Sequence, residues 1–558
     1  MACKNPPTTA FTISGSYRDE GAPNAMTTYP AQSSSALYQW LSSSVQKMKI
    51  SEGAPVVKWL QDLRLTTESE CMSILQGKSV AKESLSIDGR VLHTKKLKDG
   101  IDSIRNRAQV ANNELSKLLR KVEKGRWKHM KSSGLWLTHH LRNLLHEINS
   151  QIPDPPMRVY TEEQSILAEC SGLVQSTESI QDGVMSGAAK KSLLDLLTKL
   201  GQSVSALVDT VLGVQVEALL DTLDSRISST HCLTSSVGHI INLGLEGEYM
   251  CYIIAREGGV QRLFELCRSD ILEVLRAQCL RAIATLCCVS KSILELEEAN
   301  GVEVLSDILS AERYNEMVRS EAAGVVAQIT SPTLDHYQHI NGFIENMEDL
   351  IRSLTALCLN ASSHEVFLLG AAAIANITFM DPLSSDYLLQ YHTMMVLAQC
   401  STLQKAESLF AKDQIVTVLA NMAQSTSCFD EIVSNDCLSL LLTFLNIRPT
   451  PKLTEAELAA CERVHQKSAI ALTRLAKDPN NARIVVAQGG EHRLVQLCKD
   501  SAARNGSDVV LVAALAALRK LVSTCGNSNL SSLDMKQLVQ PKIMDSYLMC
   551  SKHSESFV

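Results

Sequence analysis

The sequence contains the run Ala373-Ile374-Ala375-Asn376-Ile377, in which small residues precede a polar residue and an aliphatic anchor. The same pattern returns as Val418-Leu419-Ala420-Asn421-Met422. Five further copies keep the polar residue and its anchor, and these are Asn242-Leu243, Thr285-Leu286, Gln328-Ile329, Arg474-Leu475 and Lys520-Leu521. Successive anchors are separated by 43, 43, 48, 45, 53 and 46 residues. Helical repeats of about this length are typical of armadillo or HEAT proteins, so the sequence predicts an all-α solenoid of seven repeats.

A recurring glycine turn favours armadillo over HEAT repeats. Gly258-Gly259, Gly301 and Gly489-Gly490 each precede a new apolar stripe. Glycine commonly ends a helix in the left-handed conformation, so we predict the same tight turn in three repeats. The middle repeats, where Asn435-Asp436-Cys437 stands instead, are predicted to lack the turn and to be degenerate.

The composition predicts an intracellular protein with reduced thiols. The chain has 558 residues, of which 45% are hydrophobic and only 4% aromatic. Its 17 cysteines lie within helical patterns such as Leu286-Cys287-Cys288, and the N-terminus lacks the apolar core of a signal peptide. No run of 18 apolar residues without charge is present, so no transmembrane segment is predicted. We also expect no cofactor.

Charge is unevenly distributed along the chain. The net charge is −7, yet residues 95–142 contain 13 Lys or Arg against four acidic residues, which leaves about −16 for the remainder. This contrast argues against nucleic-acid binding by the solenoid. An apolar stripe, Leu115, Leu118, Leu119 and Val122, lies within the basic segment. Together with Lys117, Arg120, Lys121 and Lys124 it indicates either a membrane-surface or calmodulin-target helix, or an ordinary helix whose solvated face carries the basic residues.

Other features set the expected boundaries. Gly125 and Gly134 are expected to break the basic helix, and Trp127 and Trp136 to pack inward. Insertions are expected near residues 335–346 and 447–454, and a final helix around 534–549. The predicted domains are a disordered Ser/Thr/Pro-rich tail (1–50), a partner-binding segment (51–92), a basic helical region (93–155), capping helices (156–230), the armadillo domain (231–550) and a C-terminal tail (551–558).

Residues 55–78 have the pattern of a peptide ligand. Val56, Trp59, Leu60 and Leu63 follow at helical spacing after Pro55. An acidic, extended strap and a second apolar turn come next, and they contribute Glu68, Glu70, Met72 and Leu75. A Trp-bearing helix of this kind either lies in the groove of a partner or folds back onto the chain's own helices.

The segment Trp59-Leu60-x-x-Leu63-x-Leu65-x-Thr67-Glu68-x-Glu70-Cys71-Met72 resembles the Inscuteable family of spindle-orientation adaptors. The resemblance continues through 367–379, 460–464 and 537–541 to Glu555-Ser556-Phe557-Val558. It implies that residues 51–92 bind the tetratricopeptide repeats of Pins (LGN) and that the armadillo part contacts the PDZ polarity scaffold Bazooka. It further implies that the protein is cytoplasmic and associates peripherally with the apical cell cortex. There it would form a higher-order complex with Pins during asymmetric cell division. The residues expected to contact the tetratricopeptide repeats are Val56, Trp59, Leu60, Leu63, Glu68, Glu70, Met72 and Leu75.

The polar residues before the anchors are candidate ligands for an extended peptide. In armadillo proteins this position lines the inner groove, and an amide can both donate and accept a hydrogen bond. The predicted groove residues are Asn242, Thr285, Gln328, Asn376, Asn421, Arg474 and Lys520. The basic end of this series favours an acidic or phosphorylated partner. The alternative is that the amides only satisfy groups between helices. Gly238, Ala372 and Thr417 stand where nuclear-import adaptors have Trp, which argues against import.

The last residues, Ser556, Phe557 and Val558, fit a PDZ ligand, because they offer a free carboxylate, an apolar end and a hydroxyl two residues earlier. We find no phosphate-binding glycine loop, His-Glu-x-x-His or Cys-x-x-Cys motif, and adjacent His139 and His140 diverge on a helix. The sequence therefore predicts a non-enzymatic adaptor. The alternatives are a junctional or transport armadillo adaptor and a regulatory subunit of an enzyme.

Overall fold

The computed structural model describes residues 89–152, 155–178, 186–224, 226, 228–332, 340–403, 405–525 and 530–551. Within these ranges the chain forms α-helices, three short 3-10 or π turns and no strand. The predictions for residues 1–88 and 552–558 lie outside the described residues. The chain divides into two compact units, whose described parts begin at residue 92 and at residue 222.

The first unit is a set of four helices packed around Leu, Ile and Val side chains. Its bounds are α1 (Gly89–Glu123), α2 (Met130–Gln151), α3 (Met157–Glu178) and α4 (Gly187–Asp221). The predicted boundary after residue 155 falls inside this unit. Leu115, Leu118 and Val122 of the apolar stripe are buried, as an ordinary amphipathic helix requires.

Helix α4 alone among the described helices is long and apolar enough to cross a membrane. Its apolar face is already occupied, because Leu197, Leu200, Leu207 and Val211 are completely buried within the unit. The burial identifies it as the core helix of this unit.

Two expectations for α2 were wrong. Trp136 does not pack inward, since 54% of it is exposed, whereas Trp127 is half-buried. Gly134 does not break the helix but lies within it, where a Cβ would come within 3.0 Å of the Thr177 hydroxyl on α3. Glycine there permits the close approach of two helices. Gly125 does end α1, with a φ of 63°.

The second unit is an armadillo solenoid in which seven long helices pack side by side, each against the one before. All seven predicted anchors lie at or near the last turn of one of these helices, so the predicted repeat register is confirmed. The long helices are α5 (Thr230–Leu245), α8 (Glu273–Leu286), α11 (Glu316–Ile329), α13 (His364–Ile377), α16 (Leu409–Met422), α19 (Glu455–Leu475) and α22 (Asp508–Cys525).

Further helices connect these seven and complete each repeat; all are short except α12, which has 18 residues. They are α6 (Glu248–Arg256), α7 (Gly259–Arg268), α9 (Ser290–Glu298), α10 (Gly301–Ser310), α12 (Phe343–Asn360), α14 (Leu383–Gln390), α15 (Thr393–Thr402), α17 (Phe429–Ser434), α18 (Cys437–Leu445), α20 (Pro479–Ala487) and α21 (Gly490–Lys499). The loop predicted at 447–454 is present between α18 and α19, where Thr454 forms a capping box with Glu457. Of the insertion predicted near residues 335–346, residues 335–339 lie outside the described residues and the rest leads through Gly342 into α12.

The tight turn between the short helices occurs in more repeats than glycine alone predicts. A residue with positive φ directly precedes α7, α10, α12, α15, α18 and α21, and these residues are Gly258, Asn300, Gly342, His392, Asp436 and Gly489. The middle repeats therefore do not lack the turn, and that prediction was wrong. Asn and Asp tolerate the left-handed conformation better than most residues, which is why a glycine count misses them.

The second glycine of each Gly-Gly pair has a different role. A Cβ on Gly259 would lie 2.7 Å from the Ile254 carbonyl, and one on Gly490 would lie 2.9 Å from the Val485 carbonyl. Gly301 occupies the same position, 2.9 Å from the Leu296 carbonyl, while its neighbour Asn300 carries the positive φ. The first position thus needs a left-handed backbone and the second needs the absence of a side chain.

The C-terminal end of the solenoid is formed by two short helices rather than one. Residues Ser532–Asp534 (α23) continue into a π turn at Met535–Val539, and α24 spans Ile543–Cys550. Pro541 lies between them, and it cannot donate the backbone hydrogen bond that a continuous helix needs. Both pieces pack against α22.

The cysteines behave as small core residues. Fifteen lie in the described ranges; all are free thiols and twelve are buried. Cys287 is buried and its neighbour Cys288 half-buried. Burial raises the pKa of Cys170 and Cys461 to about 11. These thiols remain protonated at neutral pH, as is usual for structural cysteines.

Candidate functional site

The predicted groove residues occupy one register on the seven long helices, but most of their side chains point into the fold. Asn376 is 4% exposed, and its Nδ2 donates to the Ala327 carbonyl of the preceding repeat at 2.7 Å. Asn421 Nδ2 donates to Thr378 Oγ1 at 2.5 Å. Arg474 donates to the Ala420 carbonyl, again one repeat back. These three side chains therefore bind the C-terminal end of the previous long helix, where carbonyls lack intrahelical partners.

The remaining members of the series differ in their surroundings. Thr285 is buried and donates to the Arg281 carbonyl one turn earlier on the same helix. Gln328 is also buried. Asn242 is exposed and Lys520 half-buried, and neither side chain makes a hydrogen bond within the described residues. Peptide binding by this series stays a prediction, and Asn242 and Lys520 are its members with polar groups not engaged in the described fold.

A buried cluster of three charges joins the fifth and sixth long helices. Asp413 on α16 is completely buried, and Arg463 Nε of α19 donates to its Oδ2 at 2.7 Å. Lys467 Nζ lies 3.0 Å from Asp413 Oδ1 and also donates to Thr417 Oγ1 at 2.6 Å. Burial alone raises the pKa of Asp413, but Lys467 and Arg463 outweigh it and hold that pKa below its usual range. The cluster fixes the junction of two repeats rather than presenting charge to a ligand.

Sequence reasoning missed this cluster. The signal was present, because charged residues interrupt the small-residue face at inward positions of α16 and α19. The period of the anchors gave no means of pairing Asp413 with Arg463, which lies 50 positions later, or with Lys467.

An open depression lies across α8, α11 and α13. Its volume is about 480 Å³, and its lining includes Arg281, Glu316, Glu321 and Glu365. Arg281 pairs with Glu321. Glu316 accepts from the Ser362 backbone N–H at 2.8 Å and from the Ser362 hydroxyl. The depression carries three carboxylates and one guanidinium, and this excess of negative charge does not favour an acidic partner. The expectation of an acidic partner therefore applies only to the C-terminal end of the groove, where Arg474 and Lys520 lie.

A carboxylate also ties the short helices of neighbouring repeats. Glu295 on α9 is 4% exposed, and its Oε2 accepts from the Val260 N–H in the first turn of α7 at 3.2 Å. Burial raises the pKa of Glu295 to about 7, and Glu298 adds to the effect, although Lys291 and two backbone donors oppose it.

The structure does not describe the two peptide-like sites. The tetratricopeptide-contact residues Val56 to Leu75 and the PDZ-ligand residues Ser556 to Val558 lie outside the described residues. Among the residues that are described, no three His, Cys, Asp or Glu side chains are grouped so that they could hold a metal ion.

The repeat of short, short and long helices, with a positive-φ turn between the short ones, defines an armadillo-repeat protein. The chain belongs to the Inscuteable family: the model described as Protein inscuteable C-terminal matches residues 107–558. A second model, described as the Inscuteable LGN-binding domain, matches residues 54–89. The resemblance noted around Trp59 is thereby confirmed.

Two relatives and two solved structures are similar to this chain. Protein inscuteable homologs of Homo sapiens and Mus musculus are each 38% identical over 518 residues, which cover 92% of this chain and 89% of the relative. A structure of an engineered protein aligns with a TM-score of 0.45 at 19% identity, over 81% of this chain and 98% of that one. A designed armadillo repeat protein in complex with the peptide (KR)4 aligns with a TM-score of 0.38 at 20% identity, over 47% and 99%.

Proposed function

We propose that the chain is a non-enzymatic adaptor that binds the tetratricopeptide repeats of LGN (Pins) through residues 51–92 and a second partner through its solenoid. The observation that carries the proposal is the match of residues 54–89 to the Inscuteable LGN-binding domain, joined in one chain to a family-typical C-terminal part. Such an adaptor brings spindle-orienting machinery to a polarised cortex and supports asymmetric division.

The chemistry of the segment supports groove binding. Val56, Trp59, Leu60 and Leu63 form one apolar face at helical spacing, and Met72 and Leu75 add a second apolar turn. Glu68 and Glu70 lie two residues apart on the strap between them, so in an extended chain both face the same wall. Basic residues on that wall would form charge-assisted hydrogen bonds with both carboxylates.

The first test removes the aromatic anchor. Trp59→Ala in the full chain is expected to weaken binding to LGN repeats by about 2–4 kcal/mol at any ionic strength, because the loss is of buried apolar area. Trp40→Ala, in the N-terminal tail, is the matched control and should bind as the wild type does. Calorimetric titration measures both variants. Equal affinity of all three chains would contradict the proposal and would favour the transport, junctional or enzyme-subunit alternatives.

The second test concerns the acidic strap. Glu68→Lys with Glu70→Lys is expected to weaken binding strongly at low salt and to abolish its salt dependence. Asp19→Lys with Glu20→Lys changes the net charge equally outside the segment and serves as control. If the two double variants bind alike, the carboxylates do not face basic groups of the partner.

We further propose that Ser556, Phe557 and Val558 bind a PDZ domain of a Bazooka-type scaffold, which would hold the chain at the apical cortex in a complex with Pins. A free carboxylate after Ser-x-Val is the chemistry that a PDZ groove captures. Removal of Phe557 and Val558 should abolish capture of the isolated PDZ domain and leave the thermal unfolding midpoint unchanged. A lower midpoint with unchanged capture would show that the tail serves the fold instead.

A further inference from the structure

One end of the four-helix unit gathers the C-terminal ends of α1 and α3 and the N-terminal ends of α2 and α4. Lys121 Nζ of α1 donates to Ser133 Oγ of α2 at 2.7 Å. Lys190 Nζ of α4 donates to the Glu123 carbonyl at the end of α1 at 2.8 Å. Lys131 of α2 pairs with Glu178 of α3 at 3.1 Å. We call this group of four helix ends the basic end of the first unit.

The basic end concentrates positive charge. Nine Lys or Arg stand against three Glu in residues 114–136, 178 and 186–191. Two helix N-termini and two C-termini meet here, so their dipoles offset one another and the positive excess comes from the side chains. The opposite end has no such excess, because acidic residues such as Glu217 and Asp221 at the end of α4 are balanced by basic residues at the start of α1. The charge is therefore polarised along the helices of this unit.

Four of the basic side chains are exposed and make no hydrogen bond or ion pair within the described residues. They project from the α1–α2 connection and from the first turn of α4. These residues are Lys124, Arg126, Lys128 and Lys191.

Two large apolar side chains are exposed beside these charges. Leu135 is 46% exposed and Trp136 54% exposed, on the second turn of α2. Lys131 precedes Leu135 by four residues, so the two lie on the same face of the helix. The Trp136 ring lies against His139 and His140, with ring centroids 5.9 Å and 4.8 Å away. An exposed indole and an exposed leucine on a helix that also carries Lys131 are side chains suited to the interface between water and a bilayer.

We propose that the basic end of the first unit is a docking surface for a bilayer that contains anionic lipids, with Trp136 and Leu135 entering the headgroup region. This inference goes beyond the proposed function, because it assigns the chain a direct contact with lipid that needs neither LGN nor a PDZ scaffold. The remainder of the chain carries a net charge of about −13, which an anionic surface repels.

The combination of charges and apolar groups favours a bilayer over an acidic protein segment. Binding of an acidic peptide needs only the cations and leaves Trp136 and Leu135 in water. A bilayer accepts both, since anionic headgroups meet the cations and the interface accommodates the indole and the leucine. The two occupants therefore differ in whether Trp136 becomes buried.

The first experiment measures co-sedimentation of the full chain with vesicles of phosphatidylcholine alone or mixed with phosphatidylserine. We expect binding to the mixed vesicles, weakened by salt. Each basic residue near an anionic surface strengthens binding about fivefold, so reversal of four charges should weaken partitioning by at least about a hundredfold. The test variant replaces Lys124, Arg126, Lys128 and Lys191 by Glu.

The control variant changes net charge equally at exposed positions elsewhere. It replaces Lys95, Lys96, Lys452 and Lys536 by Glu. Its vesicle binding should stay within a few-fold of that of the wild type. The reason is that salt screens charges that lie farther than a Debye length from the bilayer. Both variants should keep the wild-type circular dichroism and LGN affinity, which separates failure of this inference from failure of the proposed function. Equal loss in both variants would overturn the inference.

The second experiment uses a chain in which Trp40, Trp59 and Trp127 are replaced by Phe, so that Trp136 is the single indole. Its emission should shift to shorter wavelength, and brominated lipids should quench it, on mixed vesicles only. Addition of poly-glutamate should cause neither change. A shift of equal size with poly-glutamate, or no quenching on vesicles, would show that the surface binds acidic protein or nothing, and would contradict the proposal.

Discussion

Individual polar residues in this solenoid hold neighbouring repeats together. Asn376 and Arg474 bind carbonyls of the previous long helix, and Asp413 binds two cations of the next one. The spacing of anchors locates the polar position correctly on every long helix. It could not reveal the partner of the side chain, because that partner depends on the distance and rotation between stacked helices. The inter-helix alternative considered from the sequence describes what Asn376, Asn421 and Arg474 do in the fold.

Asp413→Ala should destabilise the solenoid strongly. The change leaves Arg463 and Lys467 buried without their carboxylate, and breaking a buried ion pair in this way costs about 3–5 kcal/mol. Urea unfolding followed by helical circular dichroism measures the effect. Asp430→Ala removes an exposed carboxylate from α17 and should change the free energy of unfolding by less than about 0.5 kcal/mol. Similar effects of the two substitutions would contradict the role of the cluster.

Asn376→Ala should lower stability by about 1–2 kcal/mol, because the Ala327 carbonyl loses its donor in a buried site. Asn242→Ala, at the same register on α5 but exposed, should leave the unfolding midpoint nearly unchanged. The pair also tests the groove prediction. Weaker partner binding by Asn242→Ala at unchanged stability would support a peptide groove, whereas a large loss of stability would show that this amide too is structural.

At the scale of helices, the repeats depend on the turn between the two short helices and on ties between neighbouring ends. Glycine marked three of these turns in the sequence, and the structure adds those at Gly342, His392 and Asp436. His392 and Asp436 carry no glycine signal, and Gly342 lies within the stretch 335–346 that was expected to be an insertion, so only part of the set could be predicted. The long helices were predictable because each repeats a strong apolar period.

The two glycines of the first turn should respond differently to alanine. Gly258→Ala meets no neighbouring atom within 4 Å, so its cost is that of a left-handed alanine, about 1–2 kcal/mol. Gly259→Ala places a Cβ 2.5 Å from Ile254 Cγ2 and 2.7 Å from the Ile254 carbonyl, and must cost more. Thermal unfolding of both variants shows which of the two substitutions destabilises the protein more. If Gly258→Ala is the worse of the two, the assignment of roles to the two positions is wrong.

The buried carboxyl of Glu295, which accepts a hydrogen bond from the Val260 N–H, should make the stability of the solenoid depend on pH. Its pKa is about 7 in the folded chain and near 4.5 for an ordinary Glu. Between these values the folded state holds a proton that the unfolded state releases, so stability falls as pH rises through this window. Glu295→Gln should remove that slope and stabilise the chain above pH 7 by about 1–3 kcal/mol. Exposed Glu303→Gln is the control, and parallel pH profiles of the two variants would refute the prediction.

For the molecule as a whole, the sequence predicted the all-α solenoid, the seven-repeat register and the family. The repeat period carries this information because each unit buries its apolar face only against the next one. The grouping of α1 to α4 into one unit was not predicted, since Pro153, Pro155 and Pro156 suggested a boundary between α2 and α3. Pro155 and Pro156 instead precede α3 within this unit, and α2 and α3 pack against each other.

The distribution of buried thiols provides a reporter of where the solenoid opens. Cysteines occur from Cys232 to Cys550, and an alkylating reagent reacts with a thiolate only when the site is exposed and deprotonated. Because each repeat contacts only its neighbours, the ends should open more often than the centre. Among the buried thiols, brief alkylation followed by mass spectrometry should therefore label Cys232 and Cys498, which lie in the terminal repeats, before Cys358. The labelling order would map the opening of this protein repeat by repeat, without any engineered probe.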